Sequence, residues 1–266
     1  MSVPVLDLKG VSKRFGAVQA LTDVDFHVDA GEVVALVGDN GAGKSTLIKA
    51  ISGVSLADSG EFRFLGEPAS IGGPQDATAL GIATVYQDLA LADNLDVAAN
   101  LYLGRERYLP GPSRFLYLIN DIGMEKESGE LIRSLSSRIP NVTTPVASLS
   151  GGQRQIVAIA RSLLGEPKLV MLDEPTAALG VAQTAQVLDL ILQLKQRGLA
   201  VVVISHNLAD VFEVADRIVV LFLGRNSGDY VRTETTREEI VGAITSGPGS
   251  PAGVGGADEG DAAVPA

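Results

Sequence analysis

The chain has 266 residues, enough to bury a full core as one large domain or two small ones. It contains no cysteine, which excludes a disulfide framework and a thiolate metal site and agrees with a reducing cytosol. Its formal net charge of −11 argues against a nucleic-acid partner, because phosphate backbones reward clustered Lys and Arg.

The opening "MSVPVLDLKG" lacks a basic region followed by a long apolar run, so no secretory leader is expected. "VLDLKGVSKRF" and "LTDVDFHV" then alternate apolar and polar residues, as antiparallel strands with one wet face do. His27 lies in that pattern and reads as structural. After a turn at Ala30 and Gly31, "EVVALVG" is a nearly unbroken apolar run, which predicts a strand buried on both faces. A short helix is expected from Lys44 to a stop at Gly53. "DSGEFRFLGEP" returns to hairpin chemistry, with Ser59 and Gly60 turning into a strand.

From Leu89 to about Pro145 the pattern reads as mostly helical, with loops at "LPGPSR" and "IPNVTTP". With the helix expected from Gly151, this predicts an inserted helical subdomain over about 89–165. The remaining pattern alternates: strand "KLVML", helix 181–197, strand "AVVVIS", helix 207–215, strand "RIVVLF". Strands alternating with helices imply parallel sheet. The longest apolar runs, "LAVVVIS" and "RIVVLFLG", are far too short to cross a bilayer. Apolar faces are expected at Ile156, Ile159, Ala160, Leu163 and Leu164 of one helix, and at Val181, Ala185, Leu188, Ile191 and Leu192 of the next. The last stretch, 246–266, is Gly, Ala, Pro and acid with nothing to bury, and reads as a disordered tail.

"GDNGAGKST", spanning Gly38, Asp39, Asn40, Gly41, Ala42, Gly43, Lys44, Ser45 and Thr46, matches the G-x-x-x-x-G-K-[ST] phosphate loop. It stands after a buried strand and opens a helix, as the motif requires. Its glycines let backbone N–H groups turn inward as an anion nest, and the helix N-terminus adds partial positive charge. Lys44 would reach the β- and γ-phosphates, and the Ser45 hydroxyl would ligate Mg²⁺. Downstream, "LVMLDEP" ends an apolar strand in two carboxylates. Asp173 is placed to hold the metal and Glu174 to act as general base on the attacking water. His206, in "ISHN" at the end of the next strand, can hydrogen-bond a γ-phosphate.

In this order the pieces resemble the ATP-binding cassette (ABC) ATPases, over about residues 5–245. The resemblance makes 38–46 the Walker A stretch, 169–173 Walker B, and "LSGGQ", with Ser150, Gly151, Gly152 and Gln153, the signature turn. It implies the family fold: an α/β P-loop cassette with a mixed central sheet, an N-terminal antiparallel β-subdomain and an inserted helical subdomain. It further implies that Gln87 senses Mg²⁺ and the transmembrane partner, and that Phe15 stacks on adenine. For Phe15 the alternative, one more apolar strand residue, stays open. In such proteins the signature turn completes the nucleotide site of the opposite subunit, so two ATP molecules lie sandwiched in a head-to-tail dimer. One departure stands out: where the family usually carries an Asp after Walker B, this chain has Gly180.

"DSGEFRFLGEPASI" and "GIATVYQDLALADNLDVAANLYLGRE" look like the cassettes of bacterial monosaccharide importers of the ribose, xylose, galactose and fructose group. This resemblance implies a homodimer peripheral to the cytoplasmic face of the plasma membrane. It would lie under a permease fed by an extracellular sugar-binding protein, with no nucleic-acid partner. An amino-acid importer or an exporter ATPase is the alternative.

Overall fold

The computed structural model describes residues 3–109, 117–135, 139 and 141–247. Most of the loop expected at "LPGPSR", Pro140 and the expected tail beyond 247 lie outside the described residues. The chain opens with β1 (Leu6–Phe15) and β2 (Val18–Val28), paired antiparallel and joined by a tight turn between Phe15 and Val18. Leu6, Leu8 and Val11 face Val24, Phe26 and Val28 inside the core while the intervening polar residues stay out, as the alternation predicted. β2 starts three residues earlier than "LTDVDFHV" suggested. His27 contributes its carbonyl oxygen, which accepts from the Arg217 guanidinium at 2.6 Å.

β3 (Val33–Val37) leads into α1 (Lys44–Ile51), and Gly53, at φ 74, follows the helix end where a stop was expected. β4 (Ser59–Phe64) and β5 (Glu67–Pro68) complete a four-stranded antiparallel sheet of order β2-β1-β4-β5. Then come α2 (Pro74–Leu80), β6 (Ile82–Val85), α3 (Val97–Tyr102), α4 (Asp121–Ser134) and α5 (Gly151–Leu163). The chain closes with β7 (Leu169–Asp173), α6 (Val181–Gln196), β8 (Ala200–Ile204), α7 (Leu208–Val214), β9 (Arg217–Phe222), β10 (Arg225–Val231) and α8 (Arg237–Ser246).

A second sheet runs β10-β9-β3-β8-β7-β6, parallel throughout except for β10. It is covered on both faces, and the period of two along its strands shows how. Val170, Leu172, Val201 and Val203 pack with α5 and α6 in one hydrophobic cluster. Leu169, Met171, Val202 and Ile204 pack the other way, against α1 and the antiparallel sheet. Burial on both faces is why these strands read as continuous apolar runs.

Two expectations need correction. Within 89–145 the described helices are α3 and α4 only; of the residues between them, 103–109 and 117–120 are described and are not helical, and Tyr108 and Ile119 form an isolated bridge. Gly104, at φ 76, follows the end of α3 in a conformation that a continuing helix cannot use. On α6, Leu188 and Ile191 are buried as expected, but Val181 is 91% exposed and Ala185 is exposed too. The buried face is Val187, Leu188, Leu190, Ile191 and Leu194. The first turn of α6 stands clear of the cluster that covers the rest, and residue spacing does not tell how far along a helix its neighbours reach. On α5 the expected Ile156, Ile159 and Ala160 are buried, and Leu163 and Leu164 pack half-buried against the same cluster.

Candidate nucleotide site

The site follows from strand order. β3, β8, β7 and β6 are neighbours and run the same way, so their C-terminal ends share one edge. In register Leu36 lies beside Ile204, Ile204 beside Asp173, and Leu172 beside Val85. Gly38, His206, Glu174 and Gln87 each stand one or two residues beyond those positions. Open α/β sheets bind ligands at this end of their strands.

The loop after β3 folds around Lys44. Its ammonium donates to the Gly38 carbonyl oxygen at 2.7 Å and to that of Asp39 at 2.9 Å. Burial pushes the Lys44 pKa below its ordinary value, while the carboxylates of Glu174, Asp39 and Asp173 pull it back up. A half-desolvated cation of this kind gains most from an anion placed beside it. Gly43 caps α1 with φ 103, and a Cβ there would lie 2.8 Å from both the Ala20 carbonyl oxygen and Leu21 Cδ2. The turn of the loop and the close passage of β2 therefore both require glycine. Asp39, Asn40, Gly41 and Ser45 are exposed, Thr46 is half-buried, and Ala42 is buried in the core under the loop.

Opposite the loop stand the two acids. Burial raises the pKa of Asp173, and the neighbouring Glu174 carboxylate raises it further, against the opposing pull of Lys44 and Lys49. The site thus carries negative charge that a cation would stabilise. Glu174 Oε2 lies 2.8 Å from His206 Nδ1, and the Glu174 N–H donates to the Ile204 carbonyl at 2.9 Å. Among the described residues no group of three or more His, Cys, Asp or Glu converges on a metal position. A cation at Asp173 would draw its remaining oxygens from Ser45, water and a bound phosphate. Few carboxylates supplemented by water and phosphate is the donor chemistry of Mg²⁺, so the residues present fit that ion.

Gln87 is exposed, two residues past β6. The segment after it is held by Arg161 on α5, whose guanidinium donates to the carbonyls of Leu89 at 2.6 Å and Ala90 at 2.8 Å. Here a groove of about 370 Å³ opens between β6 and α5, lined among others by Tyr86, Asp88, Arg105 and Arg161. Phe15, at the tip of the first hairpin, leaves half of its surface free, with Lys13 Nζ 5.3 Å from its ring.

The signature turn is preformed at the start of α5. Ser150 Oγ accepts from the Gln153 N–H at 3.3 Å, and Gln153 Oε1 accepts from the Ser150 N–H at 2.9 Å, a reciprocal capping box. A Cβ at Gly151 would meet Leu179 Cδ2, just before α6, at 3.1 Å, and one at Gly152 would meet Gln183 Cβ, on the first turn of α6, at 2.9 Å. Gly180 is the N-cap of α6 and supplies no side-chain cap, which an Asp there would have provided.

Sequence reasoning missed three side chains. Arg161 is one. Arg154 braces the signature turn through the carbonyls of Leu149 and Ala147 and an ion pair to Asp93 at 3.1 Å. Asp210 is buried on α7 and accepts from the Thr176 hydroxyl at 2.6 Å. Its one sequence signal was an acid set within the apolar pattern "LADVFEV".

The ABC transporter family matches residues 21–177. The chain is 46% identical over 242 residues to the xylose/arabinose import ATP-binding protein of Sulfolobus acidocaldarius, covering 91% of this chain and 94% of that protein. It is also 46% identical to the fructose import ATP-binding protein of Rhizobium meliloti, over 87% of this chain and 92% of that one. Among solved structures, an ATP-binding cassette of an ABC transporter in its ADP conformation superposes with a TM-score of 0.77 at 28% identity, covering 92% of this chain. A phosphate loop, two acids, a histidine and a glutamine delivered to one sheet edge, with a family match across most of them, lead to one assignment: the chain belongs to the ABC transporter family, as an ATP-binding cassette.

Proposed function

We propose that this cassette hydrolyses ATP to drive monosaccharide import, paired with a second copy of itself beneath a membrane permease. The observation that carries the chemistry is the shared edge where Lys44, Asp173, Glu174 and His206 meet, with Glu174 and His206 2.8 Å apart. The relatives named for import of xylose/arabinose and of fructose support the cargo class, at 46% identity across nearly their full lengths.

In this reading the amides of 38–46 and the Lys44 ammonium hold the phosphates, and Ser45, Asp173 and Gln87 hold Mg²⁺. When bound, the ion neutralises charge on the phosphate oxygens. Glu174 takes a proton from the water that attacks the γ-phosphorus, as the bond to the ADP oxygen breaks. His206, held through Nδ1 by Glu174, presents its other nitrogen to the γ-phosphate. Phe15 offers its open ring face to adenine. Ser150, the amides of Gly151 and Gly152, and Gln153 serve the partner subunit's nucleotide, so that ATP stabilises the closed dimer and hydrolysis releases it. The groove beside Gln87 takes a cytoplasmic segment of the permease, which places the cassette at the cytoplasmic face of the membrane. An extracellular sugar-binding protein feeds the permease from the other side. Among the described residues no helix is long and apolar enough to cross a membrane.

The test begins with Glu174→Gln, which is expected to bind Mg-ATP, accumulate as a dimer and lose hydrolysis by roughly 10²–10⁴-fold, the contribution typical of a general base. Reconstituted with its permease and sugar-binding protein in proteoliposomes, the wild-type protein is expected to drive ATP-dependent uptake of a pentose or fructose. Uptake of amino acids with no sugar taken up would overturn the cargo class. Undiminished turnover in Glu174→Gln would overturn the site.

A further inference from the structure

The chain after β7 is strained. Glu174 and Ala178 both adopt the left-handed region, with φ 51 and 60, although neither is glycine. Such residues persist only where their surroundings fix them. On one side the fixing contact is the Glu174 N–H to the Ile204 carbonyl, 2.9 Å. On the other it is the Thr176 hydroxyl to Asp210 Oδ2, 2.6 Å. Asp210 is only 8% exposed, and a carboxylate that buried is costly unless its charge is compensated. The Thr176 hydroxyl gives that carboxylate a hydrogen-bond donor, and its place in the N-terminal turn of α7 favours the negative charge.

The geometry ties these contacts to the chemistry. His206 stands two residues past β8, and Asn207 directly after it caps α7 by accepting from the Ala209 N–H at 3.0 Å. The His206 side chain is 73% exposed, so packing does little to hold it. Its position depends on the backbone that carries it, and that backbone is pinned to the Glu174 segment at Ile204 on one side and Asp210 on the other. We propose that Thr176 and Asp210 are positioning residues: they clamp α7 to the Glu174 segment and so set the reach between Glu174 and His206. The inference rests on the hydrolytic roles proposed above for those two residues.

The experiment measures single-turnover hydrolysis, affinity for a fluorescent ATP analogue and melting temperature on the full chain. Thr176→Val is expected to lower the hydrolysis rate about 10- to 100-fold, the scale of a small misplacement of reacting groups. Nucleotide affinity is expected to stay within about twofold, since the clamp acts on the chemical step and not on binding. Thr176→Ser keeps the donor and is expected to restore the rate to within about threefold of wild type. Because Thr176→Val leaves a buried carboxylate without its donor, Thr176→Val/Asp210→Asn removes the charge as well. That double variant is expected to melt higher than the single one yet stay equally slow. In a His206→Ala background, Thr176→Val is expected to add less than about threefold, because residues acting as one unit are not additive.

A Thr176→Val rate within about twofold of wild type overturns the clamp, as does an equal loss with and without His206. A loss that appears wholly in nucleotide affinity overturns it too. A wild-type protein without hydrolysis, or Glu174→Gln with it, overturns instead the reading on which the clamp rests.

Discussion

Gly43 is the position where the cradle can be tested by a single methyl group. It combines φ 103 with a site where a Cβ would lie 2.8 Å from the Ala20 carbonyl oxygen and 2.8 Å from Leu21 Cδ2. In Gly43→Ala the backbone strain costs about 1 kcal/mol or more, and forcing the methyl against the β2 backbone costs about 1–3 kcal/mol beyond that. The sum, about 2–4 kcal/mol, corresponds to a fall in melting temperature of roughly 6–12 °C for a chain of this size. Gly41 is the internal control. Its φ is 82, but nothing lies within 4 Å of a Cβ built there, so Gly41→Ala carries the strain alone, about 1 kcal/mol or roughly 3 °C. Calorimetry on the nucleotide-free proteins measures both. Titration with a fluorescent ATP analogue then reads the cradle, and Gly43→Ala is expected to bind at least about tenfold more weakly because the displaced turn moves the amides proposed to hold the phosphates. If Gly43→Ala melts no lower than Gly41→Ala, the close passage of β2 does not constrain the phosphate loop and the packing argument fails.

Asp173→Asn is expected to stabilise the nucleotide-free protein at neutral pH. The raised pKa means that the folded state binds the proton more tightly than the unfolded one, so wild-type stability falls as pH rises through that range; a melting advantage for the variant that grew on acidification would contradict this. For action in trans, Lys44→Ala and Ser150→Arg chains, each inactive alone, are expected to regain one competent site when mixed. Once subunit exchange is shown with differently tagged chains, continued absence of nucleotide occlusion would refute the reading that the signature turn serves its partner.

Much of the site was legible because its residues sit at the ends of strands that carry an unmistakable pattern. The apolar run before Gly38 marked β3, the run before Asp173 marked β7, and a strand end preceded His206. Each motif was local, so spacing along the chain was enough to place it. What escaped were contacts between distant segments. Arg161 reaches the carbonyls of Leu89 and Ala90 across some seventy residues of chain, and Thr176 meets Asp210 thirty-four residues on. Neither pair has a sequence signature, since an arginine on a helix or a threonine in a turn is ordinary until its partner is known. The exposed first turn of α6 escaped for the same reason, because burial at Val181 depended on where α5 and its neighbours end.

The core also accounts for the precision of the site. β7 and β8 bury alternate residues on opposite faces, Leu169 and Met171 one way, Val170 and Leu172 the other. A slip of one residue between them would turn every one of these side chains toward the wrong layer, so the register is strongly fixed. That register puts Asp173 beside Ile204, brings the Glu174 N–H to the Ile204 carbonyl and leaves His206 two residues beyond it. The 2.8 Å contact between Glu174 and His206 therefore inherits its reproducibility from apolar packing with no chemical role. Substitutions of Val170, Met171 or Val203 would act on the site through this register. The exposed tip at Phe15 has no such protection and depends on the hairpin that carries it.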